Sequence, residues 1–304
     1  MQKKPNTKPA AAIKASAKSA PVKPSSNKAS SNKASPNTAS PKIHPSAVVE
    51  KGARLGAGVE IGPFCHVGAE VVLGEGVRLL SHVVIAGKTT LGERTRVFPF
   101  ASLGHEPQDL KFKGEPVTLS IGKDCIIREG VTINPGTAGG GYTTTVGDRC
   151  AFLANSHVGH DCHVGNNVIC SNNVLLGGHC FVGDFVIFGG GAGVHQFSRI
   201  GHNAFIGGLA GVENDVIPYG MALGNRAGLA GLNVVGMKRL QFGREQIQSL
   251  RQAYRLLFSN EGTLAERIAD IESQPVAKDP YVREILTFIK APSERSLCLP
   301  RQAG

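Results

Sequence analysis

The chain has 304 residues, of which 39 are Gly, none is Trp, 6% are aromatic and 18% are charged. The charged share is below the usual value of about 25%, and the Gly share is nearly twice the usual value of about 7%. The sequence has no run of about 18 apolar residues, and its N-terminus has no apolar core before a small-residue cleavage site. We therefore expect a cytoplasmic protein without a transmembrane segment or a secretory signal peptide.

The net charge of +10 originates in the N-terminal segment. Residues 1–42 contain nine of the 33 basic residues and no acidic residue, which leaves 24 basic against 23 acidic residues in the remainder. The basic isoelectric point therefore does not indicate nucleic-acid binding by the body of the chain. Residues 1–42 are rich in Lys, Ser, Pro and Ala, and bury too little apolar surface to offset the entropy of ordering them. We predict a disordered tail.

An apolar residue recurs at every sixth position from Ile43 to Val212, apart from two interruptions. A period of six fits neither an amphipathic helix nor a two-faced strand. It fits a solenoid in which each hexad is a short strand plus a corner, and three hexads close one coil of 18 residues. The recurring residue points inward, and stacked coils bury one another's interior. The pattern therefore predicts a mainly β protein, with a parallel β-helix over residues 43–225.

From about residue 226 the pattern becomes helical. Residues 244–258 carry apolar side chains at helical spacing, Thr263 and Glu266 form a capping box, and Asp279 before a Pro resembles an N-cap. We predict a C-terminal helical domain over residues 226–304. Residues 104–120 and 134–145 interrupt the hexads and are predicted to be loops, where functional residues concentrate.

Most of the cysteines share one position of the repeat, four residues after the inward anchor. Five Cys at one position indicate small buried hydrophobic side chains rather than metal ligands or disulfides. They are Cys65, Cys125, Cys150, Cys162 and Cys180.

The positions of the histidines in the repeat indicate a candidate catalytic site. In coils of 18 residues, residues 18 positions apart stack one strand spacing apart, about 4.8 Å. His160 then lies in line with Gly178 and Gln196, and Asp161 lies in line with His179. A neutral His can take a proton from a hydroxyl, a carboxylate can fix its tautomer, and a Gly N–H can stabilise an oxyanion. The repeat aims no Ser or Cys nucleophile at His160. The pattern therefore favours direct attack by a substrate hydroxyl.

Four motifs occur in order: PQDLK at 107–111, NSHVGHDC at 155–162, GH at 178–179 and VHQF at 194–197. Together with the hexads and the helical end, they resemble the UDP-N-acetylglucosamine acyltransferase family of lipid A synthesis, over residues 43–300. The resemblance implies a left-handed β-helix and a homotrimer with sites between neighbouring subunits. It also implies transfer of a 3-hydroxyacyl chain from acyl carrier protein to the 3-hydroxyl of UDP-N-acetylglucosamine, the first step of lipid A biosynthesis. No cofactor or metal is implied.

The resemblance also implies roles for residues. His160 matches the family's general base, Asp161 its orienting carboxylate and Gly178 its oxyanion donor. The positions matched to the nucleotide sugar or the acyl chain are Gln108, Asp109, Lys111, His157, His179, His195, Gln196, Gly208 (the gauge of acyl length), Asn233 and Arg239. Because acyl carrier protein is acidic, a basic docking face is expected. Its candidate residues are Lys238, Arg239, Arg244, Arg251 and Arg255.

The sequence departs from the family at several positions. Val235 and Leu240 stand where the family often carries Glu and a second Arg. Asn134 and Pro135 replace a His-Arg pair, and Arg226 replaces a common His. None of these departures touches His160.

Three alternatives remain open from the residues. A γ-class carbonic anhydrase uses a similar solenoid, and His157, His160 and His163 invite a zinc site. A sibling N-acyltransferase of the same pathway shares the repeat, and a non-catalytic solenoid would leave the aligned histidines without a purpose.

Overall fold

Short strands stacked in triangular coils, followed by α-helices, make up the computed structural model, which describes residues 39–301. Residues 1–38 of the predicted tail and residues 302–304 lie outside the described residues. Within the described part, the strands form three sheets of 11, 9 and 8 members, here called face 1, face 2 and face 3. Strands of successive coils pair in parallel, for example Val49 with Val67, 18 residues later. The predicted left-handed parallel β-helix is confirmed.

The strands of each face are as follows. Face 1 contains Lys42–Ile43, Glu60–Ile61, Arg78–Leu79, Arg96–Val97, Ile126–Ile127, Ala151–Phe152, Ile169–Cys170, Ile187–Phe188, Phe205–Ile206, Gly220–Leu223 and Gly228–Leu232. Face 2 contains Val48–Val49, His66–Val67, Val84–Ile85, Ser102–Leu103, Thr132–Ile133, His157–Val158, Leu175–Leu176, Gly193–Val194 and Gly211–Val212. Face 3 contains Arg54–Leu55, Val72–Leu73, Lys88–Leu91, Thr118–Ile121, Thr143–Val146, His163–Val164, Phe181–Val182 and Arg199–Ile200.

The core is the column of inward anchors that the period of six predicts. Each anchor is the last residue of its strand, and Val67, Leu103 and Val158 are completely buried. Ile43 is 46% exposed because it begins the described stack and is covered on one side only. The cysteines predicted to be small buried side chains are buried, free thiols. Burial raises the pKa of the Cys65 thiol, as expected for a side chain that fills space.

The corners have a left-handed backbone at their second residue, in successive coils. Asp161, His179 and Phe197 have φ values of 57°, 60° and 66° at the corner between face 2 and face 3. This conformation usually favours Gly. Its repetition at one position of the repeat aligns the side chains of successive corners in a column.

Both interruptions leave the solenoid at the same corner, between face 2 and face 3. The first spans residues 104–117 and the second spans residues 134–142, with a 3₁₀-helix at Ala138–Gly140. They lengthen the coil, so that Val97 pairs with Ile127 and Ile127 pairs with Phe152. The insertions therefore lie beside the corners that carry His160 and His179 in the following coils.

The C-terminal part contains the helices α1 (Val234–Arg239), α2 (Arg244–Leu257), α3 (Leu264–Ser273) and α4 (Pro280–Lys290), with a 3₁₀-helix at Pro275–Lys278. The predicted caps are confirmed: Thr263 Oγ1 accepts from the N–H of Glu266 (3.2 Å), and Asp279 Oδ1 accepts from the N–H of Tyr281 (2.9 Å). Residue 226, the predicted start of the helical domain, lies between the two strands of the closing antiparallel hairpin of face 1. None of the described helices combines the length and apolarity needed to cross a membrane.

Two glycines provide a matched test of the stacking. Gly62 and Gly68 each follow an inward anchor, but a Cβ at Gly62 would lie 1.3 Å from the carbonyl oxygen of Leu80, whereas the nearest atom at Gly68 is 3.4 Å away. We expect Gly62→Ala to lower the melting temperature by about 3 to 10 °C, since the next coil must move, and Gly68→Ala to change it little. Thermal unfolding followed by circular dichroism measures both. Equal melting temperatures would contradict the stacking.

Candidate active site

Successive corners between face 2 and face 3 bring the predicted catalytic residues together. His163 pairs with Phe181 in register, and the N–H of His179 donates to the carbonyl of His160 (2.8 Å). The rings of His160 and His179 are perpendicular, with centroids 4.9 Å apart, and His179 stacks on Phe197 at 4.4 Å. The predicted alignment of His160 with the corner at 178–179 is therefore confirmed.

His160 and Asp161 form a buried hydrogen-bonded pair. His160 Nδ1 lies 2.8 Å from Asp161 Oδ2. The Asp161 side chain is fully buried and that of His160 is 10% exposed. Since Nδ1 faces the carboxylate, Nε2 is the ring nitrogen left for a ligand, and it has no hydrogen-bond partner among the described residues. A carboxylate in this position fixes the imidazole's tautomer and orientation.

Thr137, in the second insertion, holds the carboxylate from the other side. Its backbone N–H donates to Asp161 Oδ1 (2.8 Å) and its hydroxyl donates to Asp161 Oδ2 (2.7 Å). The N–H of Asp161 in turn donates to Thr144 Oγ1 (2.8 Å). A Cβ at Gly140 would lie 2.0 Å from Asp161 Cγ, so the insertion closes directly over the pair. These hydrogen bonds offset the cost of burying a carboxylate.

Gly178 leaves room for the imidazole and leaves its own N–H free. A Cβ at this position would lie 2.7 Å from His160 Nε2, so a side chain larger than hydrogen collides with the ring. The Gly178 N–H has no acceptor among the described residues. At the corner between face 3 and face 1, by contrast, side chains cap the equivalent groups: Asn166 Oδ1 accepts from the N–H of Asp148 (2.9 Å).

Burial keeps the neighbouring imidazoles neutral near neutral pH. It lowers the pKa of His179, and the nearby Asp161 carboxylate offsets this only in part. Burial also lowers the pKa of His157, and His160 adds to the effect. Asp109 and Lys111, in the first insertion, shift the pKa of His179 in opposite directions. The insertion carrying residues 107–111 therefore borders the site.

A groove of about 740 Å³ runs along face 2 beside the pair. Its lining includes Gln108 and His195, and also His157, Leu175 and Gly193, which are neighbours in one column of face 2. His157 Nδ1 lies 2.7 Å from the hydroxyl of Thr132, which orients the ring. At Gly193 an added Cβ would meet no atom within 4 Å, so the groove is open there. The groove thus combines polar and apolar lining groups.

Three predicted substrate residues lie elsewhere on the chain. Gly208 lies at the corner between face 1 and face 2. Asn233 is buried at the N-cap of α1, where its Oδ1 accepts from the N–H of Gly236 and its Nδ2 donates to the carbonyl of Asn203, both at 2.9 Å. Arg239 is exposed at the end of α1. One chain therefore does not bring these residues to His160, and their roles stay predictions.

The structure also shows what Asn134 does in place of the family's usual residue. It is buried, and its amide nitrogen donates to the carbonyls of His105 and Glu106, both at 3.3 Å. Asn134 therefore ties the second insertion to the first. The departures Val235 and Leu240 are exposed, at 62% and 40%.

The three histidines considered for zinc do not converge. His157 lies on face 2, whereas His163 lies on face 3 with Nδ1 2.9 Å from the hydroxyl of Thr145. Among the described residues, His160, Asp161 and His179 have ligand atoms within 4.8 Å of one another. Both carboxylate oxygens of Asp161 already accept hydrogen bonds, which favours an acid–base pair at this position.

Comparison with known proteins decides between the alternatives. Residues 215–298 match a family model described as Udp N-acetylglucosamine O-acyltransferase, Domain 2. The acyl-[acyl-carrier-protein]–UDP-N-acetylglucosamine O-acyltransferase of Rhizobium johnstonii is 53% identical over 259 residues, which cover 85% of this chain and 95% of that protein. The chain belongs to the UDP-N-acetylglucosamine O-acyltransferase family.

Further members of this family are similar to the chain in sequence and in structure. The protein of the same name from Bartonella henselae is 52% identical over 263 residues, covering 86% of this chain and 96% of that protein. The crystal structure of the Moraxella catarrhalis O-acyltransferase has a TM-score of 0.81 at 38% identity, covering 84% of this chain and 99% of that one. The acyltransferase from Arabidopsis has a TM-score of 0.76 at 36% identity, with the same coverage. The Rhizobium and Bartonella relatives are both named O-acyltransferases, so the chain is an O-acyltransferase of this family, which disfavours the carbonic anhydrase, N-acyltransferase and non-catalytic alternatives.

The hydroxyl of Thr137 can be tested with a matched control. Thr137→Val removes one hydrogen bond to a buried carboxylate, so that Asp161 orients His160 less firmly. We expect kcat/KM for acyl transfer to fall about tenfold to hundredfold, as for other hydrogen bonds to charged groups. Thr145→Val removes a similar bond to His163 on face 3 and should leave kcat/KM within about threefold. Equal losses in the two variants would show that Thr137 has no special part in the site.

Proposed function

We propose that the protein transfers a 3-hydroxyacyl chain from acyl carrier protein to the 3-hydroxyl of UDP-N-acetylglucosamine, which is the first step of lipid A biosynthesis. The observation that carries the proposal is the buried pair of His160 and Asp161 beside an open groove, in a chain of this family. The names of the relatives state both substrates.

In the proposed mechanism, His160 is the general base. Its Nε2 takes the proton of the sugar 3-hydroxyl while that oxygen attacks the thioester carbon. The tetrahedral intermediate collapses with cleavage of the C–S bond, and the imidazolium returns the proton to the departing thiolate. The products are the 3-O-acylated nucleotide sugar and the free thiol of the carrier. Asp161 stabilises the imidazolium that forms between the two proton transfers.

Gly178 is proposed to stabilise the oxyanion. Its N–H has no competing acceptor in the described part of the chain, and a Cβ added to this residue would lie 2.7 Å from Nε2 of His160. A donor placed where negative charge develops acts most strongly in the transition state, which lowers the barrier rather than tightening ground-state binding.

The groove along face 2 is proposed to hold the substrates. Gln108, Asp109, Lys111, His157, His179, His195 and Gln196 are proposed contacts for the sugar nucleotide and the head of the acyl chain. Gly208 is proposed to gauge the acyl chain. An added Cβ there would meet the carbonyl oxygen of Gly190 at 3.4 Å, an ordinary contact, so a larger side chain fits and would shorten the accepted chain.

A homotrimer is proposed because the predicted contacts lie at three different corners of one triangular coil. His160 lies between face 2 and face 3, Gly208 between face 1 and face 2, and Asn233 contacts the corner between face 3 and face 1. A rigid prism cannot fold these corners onto one another. A neighbouring copy can present a second corner to the groove, with Asn233 and Arg239 at the nucleotide end.

The main test is an assay of purified full-length protein with UDP-N-acetylglucosamine and a panel of hydroxyacyl carrier proteins. We expect transfer, and a loss of about 100-fold or more in kcat for His160→Ala, which is the usual size of general base catalysis. His163→Ala is the matched control, since His163 lies on face 3, and it should keep its activity. Transfer by His160→Ala at the native rate would remove the general base from the proposal, and no transfer by the native protein would remove the function.

The basic residues predicted for docking are exposed and free of ion pairs within the described part of the chain. They are Lys238, Arg239, Arg244, Arg251 and Arg255. Lys238, Arg244 and Arg251 line one cavity of about 400 Å³ between α1 and α2. We propose that this surface receives the acidic carrier protein, because complementary charge steers association.

Charge reversal tests the docking surface. We expect Arg244→Glu with Arg251→Glu to raise KM for the acyl carrier protein about tenfold or more, without changing KM for the nucleotide sugar, because Arg244 and Arg251 are proposed to meet the carrier and not the nucleotide. Arg283→Glu on α4 is the control, since Arg283 is exposed and its side chain has no partner among the described residues. An equal rise in KM for the nucleotide sugar, or an equal effect of the control, would contradict carrier docking at this surface.

A further inference from the structure

The segment that follows α4 returns to the corner between face 2 and face 3. The N–H of Asp215 donates to the carbonyl of Ser296 (2.9 Å), and the N–H of Cys298 donates to the carbonyl of Asp215 (2.8 Å). Asp215 is buried and its carboxylate pairs with Arg199 at 2.7 Å. The segment is therefore fixed to the same edge of the solenoid that carries His160 lower in the stack.

Arg295 in this segment contacts two proposed substrate residues. Its Nε donates to the carbonyl of Gln196 (2.9 Å), and its Nη2 is hydrogen-bonded to Nδ1 of His195. Arg295 is half-buried between exposed neighbours, so its side chain lies on the protein rather than in solvent. The guanidinium thus links the end of the chain to the wall of the groove.

Two partners compete for Nδ1 of His195. This nitrogen also lies 3.3 Å from the carbonyl oxygen of Gln196, to which it can donate if it carries the proton. A neutral imidazole carries one N–H, and a guanidinium has donors only. The contact with Arg295 therefore requires a lone pair on Nδ1. Arg295 also occupies the carbonyl of Gln196 through the shorter bond of 2.9 Å.

We propose that Arg295 is a positioning residue that holds His195 in the tautomer protonated at Nε2. His195 then donates its Nε2–H to an acceptor oxygen of the substrate in the groove. This contact with the substrate rests on the proposed function. Nε2 has no partner among the described residues, and His195 lines the groove. Without Arg295, the proton moves to Nδ1 and bonds to Gln196. Nε2 then becomes an acceptor that faces the substrate's acceptor oxygen.

The experiment compares full-length native protein with Arg295→Met and with Arg283→Met as the matched control. Selective ¹⁵N labelling of histidine reports which ring nitrogen carries the proton, at about pH 8, where unperturbed imidazoles are neutral. The His195 signals are assigned by their loss in His195→Asn. We expect the Nε2–H tautomer in the native protein and the control, and the Nδ1–H tautomer in Arg295→Met. We also expect Arg295→Met to raise KM for the nucleotide sugar about tenfold, with kcat within about threefold.

The two readouts separate the possible failures. A native spectrum with the proton on Nδ1 of His195, or an unchanged tautomer in Arg295→Met, would overturn the proposal. If Arg295→Met does not fold, the native spectrum alone still tests whether His195 carries its proton on Nε2. Because the spectrum needs no substrate, a protein that shows the expected tautomers but no transfer would contradict the proposed function and leave the role of Arg295 standing.

Discussion

The stacking of one coil on the next is the constraint on which the rest of this structure depends. Backbone hydrogen bonds such as that from His179 to His160 make residues of successive coils vertical neighbours. From Ile61 onward the inward anchors are buried almost completely, so a slip of one residue would turn this apolar column outward. The register is therefore fixed, and any polar residue at a corner has defined neighbours above and below.

The rigid stack holds a carboxylate in a buried position, where an unpaired charge would raise the free energy of the folded state. Asp161 is buried and forms no ion pair with a Lys or Arg of the described residues, and hydrogen bonds from Thr137 and His160 satisfy its oxygens. Burial also keeps His157 and His179 from charging near neutral pH. An imidazole that is oriented by a carboxylate, flanked by neutral imidazoles and unpartnered at Nε2 among the described residues suits proton transfer from a hydroxyl.

The three corners of the coil serve different purposes. The corner between face 2 and face 3 releases both insertions, carries the aligned histidines and receives the segment after α4. The corner between face 3 and face 1 instead carries a ladder of side chains that cap backbone groups, as Asn166 and Asp184 do. Within the described residues, both insertions and the predicted catalytic residues therefore lie along one edge of the stack.

The hexad pattern alone predicted the strands from Lys42–Ile43 to Gly211–Val212, their inward residues and the alignment of His160 with Gly178, because a repeat of constant length permits one register. The closing hairpin of Gly220–Leu223 and Gly228–Leu232 lies beyond the hexads and was not predicted. The caps at Thr263 and Asp279 could also be predicted from the sequence, since they depend on neighbours within three residues. Thr137 and Arg295 were not predicted. Their contacts join residues 24 and 100 positions apart. Such contacts depend on the path of an insertion and on where a terminal segment packs. Both are decided by tertiary packing, and neither produces a periodic pattern in the sequence.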